Sequence, residues 1–169
     1  MIVYITADHV GSASGGGLVT KHEARALAEL PQLESCQVFD RMRLEPLGTE
    51  PWCWDNAALT CQDWPLTKPS LAHFYAGTFS NTVHLLRTNG CKVTYTAAAH
   101  NIDLSRREHH RIGLKFDYPH LNDPALWERY VRGYLRADAI ICPSKHSAGI
   151  MRSYGAANRI DIIPHGVDI

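Results

Sequence analysis

Three consecutive glycines, Gly15, Gly16 and Gly17, follow a short β-branched apolar run at residues 2–6 and open a segment of helical periodicity. With no side chains they let a charged ligand group reach the backbone, and a helix start favours an anion by about 0.3–1 kcal/mol through its macrodipole. A phosphate or a sugar hydroxyl suits such a loop; a tight strand-to-helix turn is the purely structural alternative. Three more polar groups stand just beyond apolar runs: His100-Asn101, Ser144-Lys145 and His165-Gly166. His100 follows Ala97, Ala98 and Ala99, which are too small to shield an imidazole. It could donate a hydrogen bond to a sugar hydroxyl or a polarised reaction centre, or simply end a strand. Arg106, Arg107 and Arg111 form a basic cluster close by, suited either to a solvated helix face or to an anionic acceptor.

Other chemistries are harder to fit. The pattern Gly15-x-Gly17-x-x-Thr20 lacks the third glycine of the dinucleotide fingerprint, and no Gly-Lys-Ser/Thr follows to make a phosphate-binding P-loop. Asp40, at the end of the second apolar run, could still bind a ribose, which keeps a nicotinamide-dependent oxidoreductase open. His109 and His110 are adjacent and diverge on a helix, so no shared metal is expected.

These groups need elements to hold them. Strands are expected at residues 2–6, 36–39, 71–75, 92–99, 139–142 and 160–163, each a short run rich in β-branched or aromatic residues. Helices are expected over 18–30, stopped by Pro31; from Thr78 through 88, stopped by Gly90; over 124–136, with Pro124 in the first turn; and from a Ser144 cap to 154, stopped by Gly155. Residues 105–110 read as a polar, basic segment, and residues 41–69, rich in proline and tryptophan, as an irregular excursion. Alternating strands and helices predict an α/β, Rossmann-like parallel sheet with helices on both faces. In such a sheet ligands gather at the carboxyl ends of the strands, where all four polar groups fall.

Composition bounds the rest. The 169 residues amount to one domain, and 17 Lys plus Arg against 17 Asp plus Glu give no global field to recruit nucleic acid. Five cysteines, odd in number and with no C-x-x-C pair, suggest neither a disulfide framework nor a zinc ribbon and suit a reducing cytoplasm. The opening apolar run is too short for a signal peptide or a span, so a cytoplasmic protein is expected, with peripheral membrane contact left open.

The final third carries a specific pattern: Ala137-Asp138-Ala139-Ile140-Ile141-Cys142-Pro143-Ser144, then Ser147, Gly155, Ile160 and Ile163-Pro164-His165-Gly166-Val167-Asp168. It resembles family 4 (group 1) retaining glycosyltransferases of GT-B fold, with His165 where those have asparagine. Gly15-Gly16-Gly17 is similar to the family's glycine loop, and residues 94–101 to its strand leading to a histidine. The resemblance runs along nearly the whole chain and is weakest over 41–69.

The resemblance implies that residues 1–169 are the acceptor-side N-terminal half of a GT-B enzyme. A donor-binding half with a basic residue and a Glu-x7-Glu motif is then expected beyond Ile169, and these residues alone are expected to be inactive. It implies transfer of a hexose-type sugar from a nucleotide diphosphate sugar to a glycan, lipid or small-molecule acceptor, with retention and with neither metal nor organic cofactor. Gly15, Gly16 and Gly17 would lie by the donor diphosphate and His100 by the transferred sugar. Asn101, Arg106, Arg107, Ser144 and Lys145 are the candidate acceptor contacts. The tryptophans of residues 51–64 could stack on a sugar, meet a lipid surface or fill a core. A free-standing, non-catalytic acceptor-binding module is the remaining alternative.

Overall fold

The computed structural model describes residues 1–6, 10–31, 36–39, 55, 70–75, 79–97, 102–115 and 124–164. Six parallel strands form one sheet in the order β2-β1-β3-β4-β5-β6: β1 (Ile2–Thr6), β2 (Cys36–Phe39), β3 (Leu71–Tyr75), β4 (Lys92–Thr96), β5 (Ala139–Cys142) and β6 (Arg159–Ile162). Among the described residues five helices accompany them: α1 (Gly15–Ala28), α2 (Ser80–Thr88), α3 (Ile102–Arg111), α4 (Pro124–Arg136) and α5 (Lys145–Ser153). This is the α/β, Rossmann-like sheet that the alternation of runs predicts.

One face of the sheet is apolar. Val3, Ile5, Ala72, Phe74, Val93, Tyr95, Ile140 and Cys142 form one buried cluster with Phe79, Val83 and Leu86 of the α2 region, Tyr134 of α4, and Ile150 and Met151 of α5. Each large apolar side chain so buried contributes about 1.5–3 kcal/mol. The opposite face is polar at its centre. Register sets Tyr4 beside His73 and His73 beside Thr94, with Thr6, Tyr75 and Thr96 one step further along. Helix α1 lies over this face, since Glu23 of α1 accepts a hydrogen bond from Tyr4 Oη at 2.8 Å. Helices therefore flank both faces.

Local signals explain most boundaries. Ser144 caps α5 with a complete capping box, its Oγ accepting from Ser147 N and Ser147 Oγ accepting from Ser144 N, each at 3.1 Å. Gly90 and Gly155 follow their helices at φ +83° and +89°, conformations that side-chain-bearing residues rarely adopt.

Several expectations shift. Helix α1 begins at Gly15 rather than at 18, because Ser14 caps it and Gly17 N donates to Ser14 Oγ at 3.0 Å. Its sheet-facing side is Gly17, Thr20 and Glu23, while Leu18 and Leu30 are exposed, so a polar sheet face selects a polar helix face. Residues 105–110 belong to helix α3, closed by Gly113 at φ +71°. Strand β4 ends at Thr96, and Ala97 N donates to Ile141 O beyond it. Thr78, Asp40, and all of the 41–69 excursion except Asp55 lie outside the described residues.

Candidate functional site

Every strand of a parallel sheet delivers its carboxyl end to the same edge, and a crevice opens where the chain reverses its direction of strand addition. Here β2 is added on one side of β1 and β3 on the other, so the reversal lies between β1 and β3. Helix α1 follows β1 on the polar face and α2 follows β3 on the apolar face, bringing two helix N-termini to one crevice. A helix start attracts an anion through amides that have no carbonyl partner in their own helix.

The two are not equivalent. Asp55, 1% exposed, places its carboxylate on the start of α2: Oδ1 accepts from Asn81 N at 2.8 Å and from Thr82 N at 3.0 Å, while Oδ2 accepts from Asn81 N at 3.0 Å. Thr82 Oγ1 donates to the Asp55 carbonyl at 2.8 Å. Burial pushes the Asp55 carboxyl up, opposed by the Asn81 and Thr82 amides, the Thr82 hydroxyl and the Arg129 charge. An internal carboxylate thus already occupies the anion position of α2. Nothing local in the sequence marks Asp55, because it lies far upstream of the helix it caps.

At α1 the first turn is the glycine triplet itself. Gly17 N is taken by Ser14 Oγ, and Leu18 N donates to Ser14 O at 3.1 Å, which leaves Gly15 and Gly16 as the amides with no carbonyl in their own helix to reach. Gly17 has a separate, structural reason to be glycine. A Cβ there would stand 2.0 Å from Ser12 Oγ and 2.5 Å from Ser12 O. The loop is pinned against it by Gly11 N donating to Gly17 O at 2.9 Å, and Thr20 Oγ1 donates to the same carbonyl at 3.0 Å. Of the three glycines, then, Gly17 serves packing.

The other predicted residues spread along the same edge. Adjacent strands lie about 4.8 Å apart, so the end of β1 is about 10 Å from that of β4 and about 15 Å from that of β5. Ser144 and Lys145 sit beyond β5, both exposed, with the Ser144 hydroxyl engaged in the α5 cap. Arg106 and Arg107 lie on α3, which follows β4, and the Arg107 side chain is exposed. His100, Asn101, His165 and Gly166 lie outside the described residues. Among the described residues no group of three or more His, Cys, Asp or Glu side chains could hold a metal ion, and no helix is long and apolar enough to cross a membrane.

A buried polar cluster beneath α1 is absent from the sequence-based list. His73 Nδ1 lies 2.7 Å from Thr94 Oγ1, and its Nε2 lies 3.2 Å from Thr96 Oγ1 and 3.5 Å from Glu23 Oε2. The imidazole stacks on Tyr4, with centroids 5.6 Å apart. Burial opposes ionisation of Glu23, yet hydrogen bonds from His73, Thr96 and Tyr4, with the attraction of His73, outweigh it and hold the carboxyl below its ordinary range. The available signal was parity: Tyr4 and Thr6, His73, and Thr94 and Thr96 place polar atoms on one side of three central strands.

Fold and site together define a doubly wound α/β domain whose switch point receives the glycine-built first turn of α1, capped by Ser14, and the Asp55-capped start of α2. A family model for Glycosyltransferase Family 4 matches residues 42–169. The chain belongs to that family. The matched span includes His100, Asn101, Arg106, Arg107, Ser144 and Lys145, whereas Gly15, Gly16 and Gly17 precede it. No curated protein gives a significant match to the chain.

Proposed function

We propose that this chain is the acceptor-side half of a nucleotide-sugar-dependent, retaining glycosyltransferase of GT-B architecture, with the donor-binding half in a domain beyond residue 169. The observation that carries the reading is the contrast at the switch point of a family 4 domain: the α2 start is filled by Asp55, and the α1 start offers the amides of Gly15 and Gly16. Departure of a nucleotide diphosphate builds negative charge on its terminal phosphate. Amides fixed in a helix turn stabilise that charge without reorganising. Gly15 and Gly16 take this role, and Gly17 holds the turn in shape.

His100 donates a hydrogen bond to the transferred hexose, and Asn101, Arg106, Arg107, Ser144 and Lys145 hold the acceptor, a glycan, lipid or small molecule. Neither a metal nor an organic cofactor enters this scheme, and the nucleotide sugar is a co-substrate. The chain works in the cytoplasm. Exposed Ile112 and Leu114 directly after the basic helix α3 support peripheral membrane contact, since apolar residues beside cations suit an anionic headgroup layer.

The test is a titration of the ¹⁵N-labelled chain with inorganic pyrophosphate and with uridine and guanosine diphosphates, followed by amide shifts. Shifts centred on Gly15 and Gly16, with Kd in the range of about 1 mM for half of a binding site, support the reading. Shifts confined to α3, or none at about tenfold higher concentration, contradict it.

A further inference from the structure

A carboxylate, an imidazole and three hydroxyls seldom lie between a helix and a sheet without a task, because each loses hydration there and repays it only when paired. In this cluster the pairing is thorough. Glu23 Oε2 accepts from Tyr4 Oη at 2.8 Å and faces His73 Nε2 at 3.5 Å, while both ring nitrogens of His73 meet threonine hydroxyls of β4 at 2.7 and 3.2 Å. Three neighbouring strands thus converge on one residue of α1. The groups facing Glu23 are Tyr4 from β1, His73 from β3 and Thr96 from β4, and His73 is the one among them that can carry a positive charge. Apolar packing would let a helix slide by fractions of an ångström at little cost, whereas a hydrogen-bonded carboxylate fixes its height along the strands.

Height matters for the turn at the other end of α1. Glu23 lies about two helical turns, roughly 12 Å, from Gly15 along a rigid rod. Between them Thr20, fully buried, bonds back to Gly17 O, so the anchor and the glycine turn belong to one continuous unit.

We propose that Glu23 and His73 are a positioning pair that locks α1 at a single height on the sheet, and so sets where the Gly15 and Gly16 amides stand at the switch point. The functional half of this inference rests on the reading of that turn as the anion-facing element. The Glu23 carboxylate facing Nε2 and the Thr94 hydroxyl at Nδ1 together fix the orientation of the His73 ring.

Hydrogen exchange on the full chain tests the lock. Glu23→Gln keeps the shape and removes the charge, so the amides of α1 are expected to exchange about ten- to a hundredfold faster, the loss of a charge-assisted hydrogen bond. Val93, Tyr95 and Ile140 amides should change less than about threefold. The ¹⁵N ring resonances of His73 are expected to shift at Nε2, which faces the lost carboxylate, more than at Nδ1, a difference that loss of packing alone would not cause. Thr96→Val, a milder change, keeps the test alive if Glu23→Gln fails to fold and should raise α1 exchange several-fold. Unchanged α1 exchange, or α1 and core amides rising together, overturns the proposal. Pyrophosphate binding by the wild type separates the two claims. If the wild type binds and Glu23→Gln binds equally well, the coupling to the turn is wrong; if the wild type does not bind, the glycine-turn reading fails while the α1 result still decides the lock.

Discussion

Replacing Asp55 by alanine removes a cap that local sequence windows do not reveal. The carboxylate receives the amides of Asn81 and Thr82 through Oδ1 at 2.8 and 3.0 Å, and Asp55 is 1% exposed, so water cannot replace it without a local opening. Loss of a helix cap costs about 0.5–2 kcal/mol. Leaving a buried amide unsatisfied costs about 1–3 kcal/mol more, giving roughly 1.5–5 kcal/mol in total. For a chain of this length that lowers Tm by about 3–20 °C. Asp55→Asn keeps Oδ1, the oxygen that serves both amides, and should cost only about 1 kcal/mol. Urea titration with linear extrapolation measures both variants, with unchanged m-values showing that the unfolding transition is the same. A loss under about 0.5 kcal/mol for Asp55→Ala, or equal losses for the two variants, would refute this account of the cap. A second consequence concerns the crevice: Asp55→Ala uncaps α2, and inorganic phosphate should then stabilise the variant more than the wild type.

Two glycine substitutions should move in opposite directions although both lie in helices. Gly17→Ala drives a methyl into Ser12 backbone and hydroxyl, so it should destabilise by about 1–3 kcal/mol despite alanine's better helix propensity. Gly133→Ala meets Tyr95 Cε2 at 3.4 Å, an ordinary contact, and should gain about 0.5–1 kcal/mol in the same denaturation assay. A stabilised Gly17→Ala would show that the loop at residues 10–13 is not held against α1. The pH dependence follows from Glu23, whose carboxyl lies below its ordinary range in the folded chain. Its ionised form stabilises fully above the unfolded value of about 4.3 and progressively less as pH falls through the lower folded value. The stability difference between the wild type and Glu23→Gln should accordingly be constant near neutrality and shrink in acid; a difference that grew in acid would reverse the assignment. Burial pushes the Cys91 thiol up to about 11, so at pH ~8 it should react with a maleimide or a disulfide reagent roughly a hundredfold more slowly than free cysteine. Mass spectrometry of early alkylation products reads this directly.

How legible each feature was depended on whether its cause was local. The Ser144 cap, Gly155 and Gly90 act within one turn of the helix they bound, and their sequence positions were enough to place α5 and the end of α2. The start of α1 was hidden because glycine has poor helix propensity, while Ser14 and the packing of Ser12 on Gly17 impose the helix anyway. Leu18 and Leu30 stay exposed, since the central strands turn hydroxyls and an imidazole toward α1. Asp55 on α2 and Glu23 on His73 are contacts between distant segments, and no spacing rule along the chain reports such pairs. Among the site residues, the glycine turn and Ser144 with Lys145 fall on the carboxyl edge that the sequence indicated. The distinction between Gly17 and its two neighbours needed coordinates.

The most direct test of the central claim is turnover by the full-length gene product, with its coding sequence followed past the codon for Ile169. A panel of nucleotide diphosphate sugars would be offered, nucleoside diphosphate release measured, and the anomeric signal of the product read by NMR. Release from one donor, a product that keeps the donor's anomeric configuration, and loss of both with bulky substitutions at Gly15 or Gly16 in a chain that still folds are the results the account requires. No release from any donor, an inverted product, or full activity with those substitutions would contradict it.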